Sequence, residues 1–178
     1  MTKHKEFAIP FSGLKQGKHE FEYRIKNEFF ESFEYDDING ADISLQVTLN
    51  KMSTMLELVM HAKGTVKVNC DITNEPFDQK ITSSLELVVK FGDEYNDEND
   101  EILVIPHGEH TINITQFVYE MLVLAIPQKK VHPGVLDGTL ESEVIDKLEE
   151  LQPKEVKENK GNNTDPRWDA LKKLLKDK

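Results

Sequence analysis

ADISLQVTLN, residues 41–50, alternates without an exception: Ala41, Ile43, Leu45, Val47 and Leu49 are apolar, and Asp42, Ser44, Gln46, Thr48 and Asn50 are polar. Successive side chains of a strand point to opposite faces, so this period of two predicts a strand with one face on a core. Working outward, Asn50-Lys51-Met52-Ser53 reads as a turn. Leu56, Leu58, Met60, Ala62, Val66, Val68, Cys70 and Ile72 then hold one parity across Gly64. A two-residue hairpin at Lys63-Gly64 would pair Ala62 with Thr65 and turn the second arm's apolar set to the wrong face. The pattern therefore predicts one long strand bent at Gly64, with a bulge where the side chain is missing.

Further strands follow the same logic. Ile81, Leu85, Leu87, Val89 and Phe91 share a face opposite Lys80, Thr82, Glu86 and Lys90. Phe21, Tyr23 and Ile25 alternate with charged neighbours, and Phe7, Ile9 and Phe11 share a parity, whereas Phe29, Phe30 and Phe33 suit one turn of helix. Three longer helices are expected. Ile114 to Ile126 is apolar nearly all round, with Asn113 as N-cap, Gln116 in the capping-box position and Pro127 as its stop, and is expected to be buried against the sheet. Leu140 to Leu151 carries Val144, Ile145 and Leu148 on one side. Pro166 to about Lys176 has Asp165 as cap and Lys172, Lys173 and Lys176 near its C-terminal end, where the helix dipole favours cations. The fold class expected is α+β: a curved, mainly antiparallel β-sheet, with closure toward a barrel left open, a buried helix at 114–126 and a C-terminal helix.

The chain has 178 residues, 33 acidic and 22 basic, for a net charge of −11, and 38% hydrophobic residues. That is enough for one core, so global disorder is excluded. Residues 1–140 hold 13 basic and 23 acidic side chains, so the body carries nearly all the negative charge. Coating nucleic acid by charge alone is thereby disfavoured. The expected organisation is a β-rich α+β domain over 1–151, a flexible linker over 152–164 and a helical segment over 165–178. No run of 18 apolar residues is present, so no membrane helix is expected. The opening MTKHKEFAIPFSG lacks an apolar leader, and a single cysteine suits a reducing compartment. Both point to the cytoplasm.

No motif of phosphate-loop, dinucleotide, serine-hydrolase or zinc-protease type occurs, so an enzyme, a cofactor and a small-molecule substrate are not expected. Cys70 shares the apolar parity and reads first as a core residue. Thr73 stands where a C-x-x-C pair would place its second thiol, and a structural zinc needs about four ligands. His107 and His110 flank Gly108-Glu109 in what reads as a solvated turn. The run of Asp93, Glu94, Asp97, Glu98, Asp100 and Glu101 has Glu98 and Val104 where a calcium loop needs Gly and Glu, and reads as a solvated loop. Lys63 and Lys67, with His61 beside them, and Lys129, Lys130 and His132 could form a local basic patch for RNA phosphate or an acidic partner, against the plainer reading of solvated polar faces.

DPRWDALKKLL, residues 165–175, is the most unusual stretch. Trp168, Leu171, Leu174 and Leu175 make an apolar stripe on a helix too short to be stable alone. Burial must stabilise it, either on this protein's own sheet or on a partner with Trp168 as anchor.

The order GTVKVNCDIT, VVKFGDE, INITQFVYEMLVLAIP, KKVHPG and DPRWDALKKLL resembles the YceD family over roughly residues 18–178. The resemblance implies a cytoplasmic factor needed for accumulation of large-subunit ribosomal RNA, hence linked to ribosome assembly. With the catalytic motifs absent, the expectation is a non-enzymatic factor that binds that RNA or a large-subunit ribosomal protein, with no membrane partner. The matching positions are Cys70, as the remnant of a family cysteine pair, and Asp165, Pro166, Arg167 and Trp168, as the terminal motif; with Leu171 these four are the candidate partner-binding residues. Many members carry C-x-x-C where this chain has Cys70-Asp71-Ile72-Thr73, and further cysteines where it has HPGVLDGTLESE. A family zinc site is therefore not carried over. An adaptor that docks a partner through the Trp168 helix without touching RNA is the alternative.

Overall fold

The computed structural model describes residues 5–99 and 101–151. The linker and the Trp168 segment lie outside the described residues. The chain divides into two compact units, Met1–Ser142 and Glu143–Lys178.

In the first unit a 3₁₀ turn, Lys5–Phe7, leads into β1 (Ala8–Ile9) and β2 (Gly17–Lys26), followed by α1 (Asn27–Glu31). Then come β3 (Gly40–Lys51), β4 (Met55–Asn69), β5 (Pro76–Gly92), β6 (Asn96–Asn99), β7 (Ile102–Pro106), β8 (Ile112–Asn113), α2 (Thr115–Leu124) and α3 (Pro133–Leu136). Six strands form one sheet in the order β2-β3-β4-β5-β7-β6, and β1 pairs with β8 in a small second sheet. All neighbours in the large sheet are antiparallel except β5 and β7, which run parallel. The sheet stays open, with β2 and β6 at its edges.

The 41–50 alternation holds: Ile43, Leu45, Val47 and Leu49 are buried in β3 while Asp42, Ser44 and Gln46 face out. The turn that follows is closed by Met52 N–H donating to Met55 O at 3.0 Å. β4 is one strand of 15 residues. The expected bulge at Gly64 is absent: its register runs unbroken, with Ile43 on one side and Ile81 on the other. The glycine has another cause. A Cβ there would sit 2.3 Å from Asp42 O and 2.6 Å from Ile43 Cα, so the neighbouring backbone fills the space a side chain would take.

The inner faces of β2–β5 and β7 meet α1, α2 and the β1–β8 pair in one core. Phe7 stacks on Tyr23 at 5.0 Å and tilts against Phe29 at 5.2 Å, tying the N-terminal turn and α1 to β2. Phe29 and Phe30 lie on α1 as expected. Phe33 follows the helix and stacks on Tyr119 of α2 at 4.0 Å. α2 buries Val118, Met121 and Leu122, each worth about 1.5–3 kcal/mol if fully removed from water. Its apolar circumference is only partly covered, because Leu124 is 84% exposed.

Three local expectations are corrected. α2 begins at Thr115 rather than Ile114. Asn113 Oδ1 still accepts from Thr115 N–H (2.9 Å) and from its hydroxyl (2.6 Å), but Gln116 makes no capping box and donates instead to Glu120 (2.7 Å). The acidic stretch is not all loop, since Asn96–Asn99 forms the edge strand β6 on β7. The short helix α3 had no signal in the periodicity. The second unit begins with α4 (Glu143–Leu151), shorter than the helix expected from Leu140; Leu140 instead donates its N–H to Gly134 O at 2.9 Å. No helix among the described residues is long and apolar enough to cross a membrane.

Candidate functional site

β4 ends at Asn69, and the next residues form a knuckle. Asn74 has the left-handed backbone conformation (φ 60°) that asparagine tolerates, which folds the chain back. Asn74 N–H donates to Cys70 O at 2.8 Å, and Cys70 N–H donates to Glu75 O at 2.9 Å. The stretch after α2 docks on this knuckle. Asp71 N–H donates to Lys130 O at 2.7 Å, and Lys130 N–H donates to the Asp71 carboxylate at 2.6 Å. His132 N–H donates to Cys70 Sγ at 3.3 Å.

His132 itself caps α3: its Nδ1 accepts from Gly134 N–H at 2.9 Å, which places the ring proton of the neutral form on Nε2. The ring lies edge-on to Phe77 at 5.4 Å. A Cβ on Gly134 would approach Leu140 Cβ to 2.9 Å and His132 Nδ1 to 3.0 Å, so only glycine lets this turn close.

Cys70 is 2% exposed, as the core reading expects. Burial pushes its thiol up, yet the Thr73 hydroxyl and the N–H groups of His132, Thr73 and Ile72 outweigh it and bring it down to about 7. Hydrogen-bond donors thus surround the sulfur. A zinc ion does not fit: the knuckle offers one thiol, Thr73 replaces the second, and His132 Nδ1 is committed to Gly134. Among the described residues no three His, Cys, Asp or Glu side chains are grouped to hold a metal. A polar cleft of about 310 Å³ opens beside the knuckle, lined among others by Asp36, Asp37, Asn39, Asn69, Asp71 and Lys130.

The basic candidates separate into two kinds. Lys63 and Lys67 are exposed on the outer face of β4 with His61. Lys67 lies opposite Asp78 of β5 in register. Lys63 lies between Ser44 and Thr82 and lines a shallow saddle of about 530 Å³ with Gln46, His61 and Ser84, where no carboxylate contributes. In the other group Lys129 is exposed, but the Lys130 side chain is mostly covered, with its Nζ 3.7 Å from Asp37, and His132 is half-buried in the knuckle. Elsewhere on the outer face, Arg24 of β2 forms a two-pronged ion pair with Asp42. His107 and His110 are exposed in the turn after β7, with His107 stacked on Phe91 at 6.3 Å.

The docking of residues 129–134 on Cys70 was not readable from either segment alone, because nothing in the sequence pairs positions about 60 apart. Asp165, Pro166, Arg167, Trp168 and Leu171 lie outside the described residues.

Compared with known proteins, the chain matches no curated protein and no solved structure. It does match one family, described as Large ribosomal RNA subunit accumulation protein YceD, over residues 58–175. That span starts inside β4, holds the knuckle, α2 and α3, and reaches the terminal motif. On that match the chain belongs to the YceD family.

Proposed function

We propose that this protein is a cytoplasmic, non-enzymatic factor that supports accumulation of large-subunit ribosomal RNA by binding a large-subunit ribosomal protein. The family described for residues 58–175 supplies the process. The observation that favours a protein partner is that several cations of the described surface sit beside acids. Lys67 faces Asp78, Lys130 lies by Asp37 and Arg24 is locked to Asp42, on a chain of net charge −11. Phosphate-tracking surfaces need clustered, uncompensated Lys and Arg. An acidic body instead attracts basic proteins and speeds their encounter.

The Lys63 saddle supports a second reading, direct RNA contact. Ser44, Gln46, Thr82 and Ser84 around one lysine are the side chains that bond phosphate and sugar oxygens. The terminal segment with Asp165, Pro166, Arg167, Trp168 and Leu171 is proposed as a further partner contact, and the adaptor reading applies if it is the only one.

Binding of the full chain to purified large-subunit proteins and to large-subunit RNA, each across a salt series, tests the choice. Protein binding that is tight, with RNA binding weak and indifferent to Lys63→Ala, is the expected result. RNA affinity that drops by more than about tenfold between roughly 50 and 200 mM salt, and falls again with Lys63→Ala, would make RNA the partner.

A further inference from the structure

α2 is built of residues that belong in a core, yet one side of it is uncovered. Phe117, Met121 and Leu124 recur at helical spacing and form one wall of a groove of about 460 Å³. Leu85 of β5 contributes to its lining, and Tyr95, just before β6, forms part of the opposite side. Leu124 is 84% and Tyr95 58% exposed, so two of the large apolar side chains most open to water in the first unit meet in one place. Isolated exposed leucines are ordinary, but exposed apolar groups that converge on a concave surface mark interaction sites.

The rim is one-signed. Glu120 of α2 and Asp97 of β6 line it, and no basic residue does. Each carboxylate is held in place: Glu120 accepts from Gln116 at 2.7 Å, and Asp97 accepts from the Tyr95 hydroxyl at 3.2 Å. β6 brings further negative charge, with Glu98 beside Asp97 on an exposed edge strand. An apolar floor between fixed carboxylates complements a segment that carries apolar anchors flanked by Lys or Arg.

We propose that the groove between α2, β5 and β6 seats a basic, amphipathic segment of a partner protein. This rests on the protein-binding reading above and gives it a site. Leu124 and Tyr95 are the anchoring contacts, and Glu120 and Asp97 select for positive charge.

The test uses the full chain and a labelled 14-residue synthetic peptide of leucine and lysine arranged as an amphipathic helix. Controls are the same peptide with glutamate for lysine, and a lysine-only peptide of equal charge. Fluorescence polarisation measures affinity. Leu124→Ser with Tyr95→Ser keeps the net charge and removes no buried side chain, and circular dichroism checks its fold. The expected results are binding of the Leu-Lys peptide, a loss of at least about tenfold in the double variant, and no binding of the glutamate peptide. Equal binding by the double variant, or equal binding of the lysine-only peptide, overturns the proposal, since charge alone would then explain the affinity.

Trp168 is the only tryptophan of the chain, so its emission reports on the other occupant. If the double variant shifts that emission to the red while peptide binding does not weaken, the groove serves the chain's own C-terminal segment and the partner proposal falls. Failure of the peptide assay leaves the role in ribosomal RNA accumulation standing. Normal ribosomal RNA in cells lacking the protein removes that role whatever the groove binds.

Discussion

Gly64 and Cys70 show how single positions carry the architecture. At Gly64 the sheet leaves no room for a side chain, because Asp42 O and Ile43 Cα are backbone atoms that cannot rotate away. Gly64→Ala is predicted to cost about 3 kcal/mol, the upper end of the usual range for overpacking, read as a lower urea midpoint. An unchanged midpoint would mean that the strands separate easily there. Cys70 makes a pH-dependent contribution. Its thiol titrates at about 7 in the fold against an ordinary 9.0, so the folded state favours the thiolate. The resulting stabilisation is complete above pH 9, shrinks as pH falls from 9 to 7, and is gone below. The stability gap between wild type and Cys70→Ala is therefore predicted to be larger at about pH 8.5 than at about pH 6, by urea unfolding. An equal gap at both would show that the surrounding N–H groups do not favour the charged sulfur.

At the scale of elements, α2 separates packing from display. Leu122 is fully buried and Leu124 is 84% exposed, two residues apart on the same helix. Leu122→Ala is predicted to cost about 2–5 kcal/mol, and Leu124→Ala within about 0.5 kcal/mol, by thermal or urea unfolding. Similar losses from both would mean that Leu124 is covered.

This helix also shows how far the sequence could be read. Its position and type follow from its hydrophobic run and from Pro127, but a run apolar all round cannot say which side lacks a cover. The strands of period two were legible for the complementary reason: alternation names the buried face. The parallel β5–β7 pairing was not legible, since it depends on the chain passing through β6 first. Neither was α3, whose four residues are held by His132 and Gly134 rather than by any repeat. At the candidate site, the burial of Cys70 was readable from parity. Its partner His132 was not, because that contact is made by folding and leaves no local pattern.

For the whole molecule, an open six-stranded sheet offers an outer polar face, an acidic groove and a knuckle, with charge weighted against nucleic acid. If the partner is a basic protein, rim charges will act mainly on the association rate, so raising salt should slow binding more than it speeds release. Stopped-flow measurement with a large-subunit protein checks this; a dissociation rate carrying all the salt dependence would contradict it. The family assignment names the cellular process to be tested. The most direct test is the ratio of large- to small-subunit ribosomal RNA in cells lacking this protein, with particles resolved on a gradient. A lowered ratio with fewer large subunits, restored by the intact chain, is the predicted result; an unaltered ratio and particle profile would contradict the account.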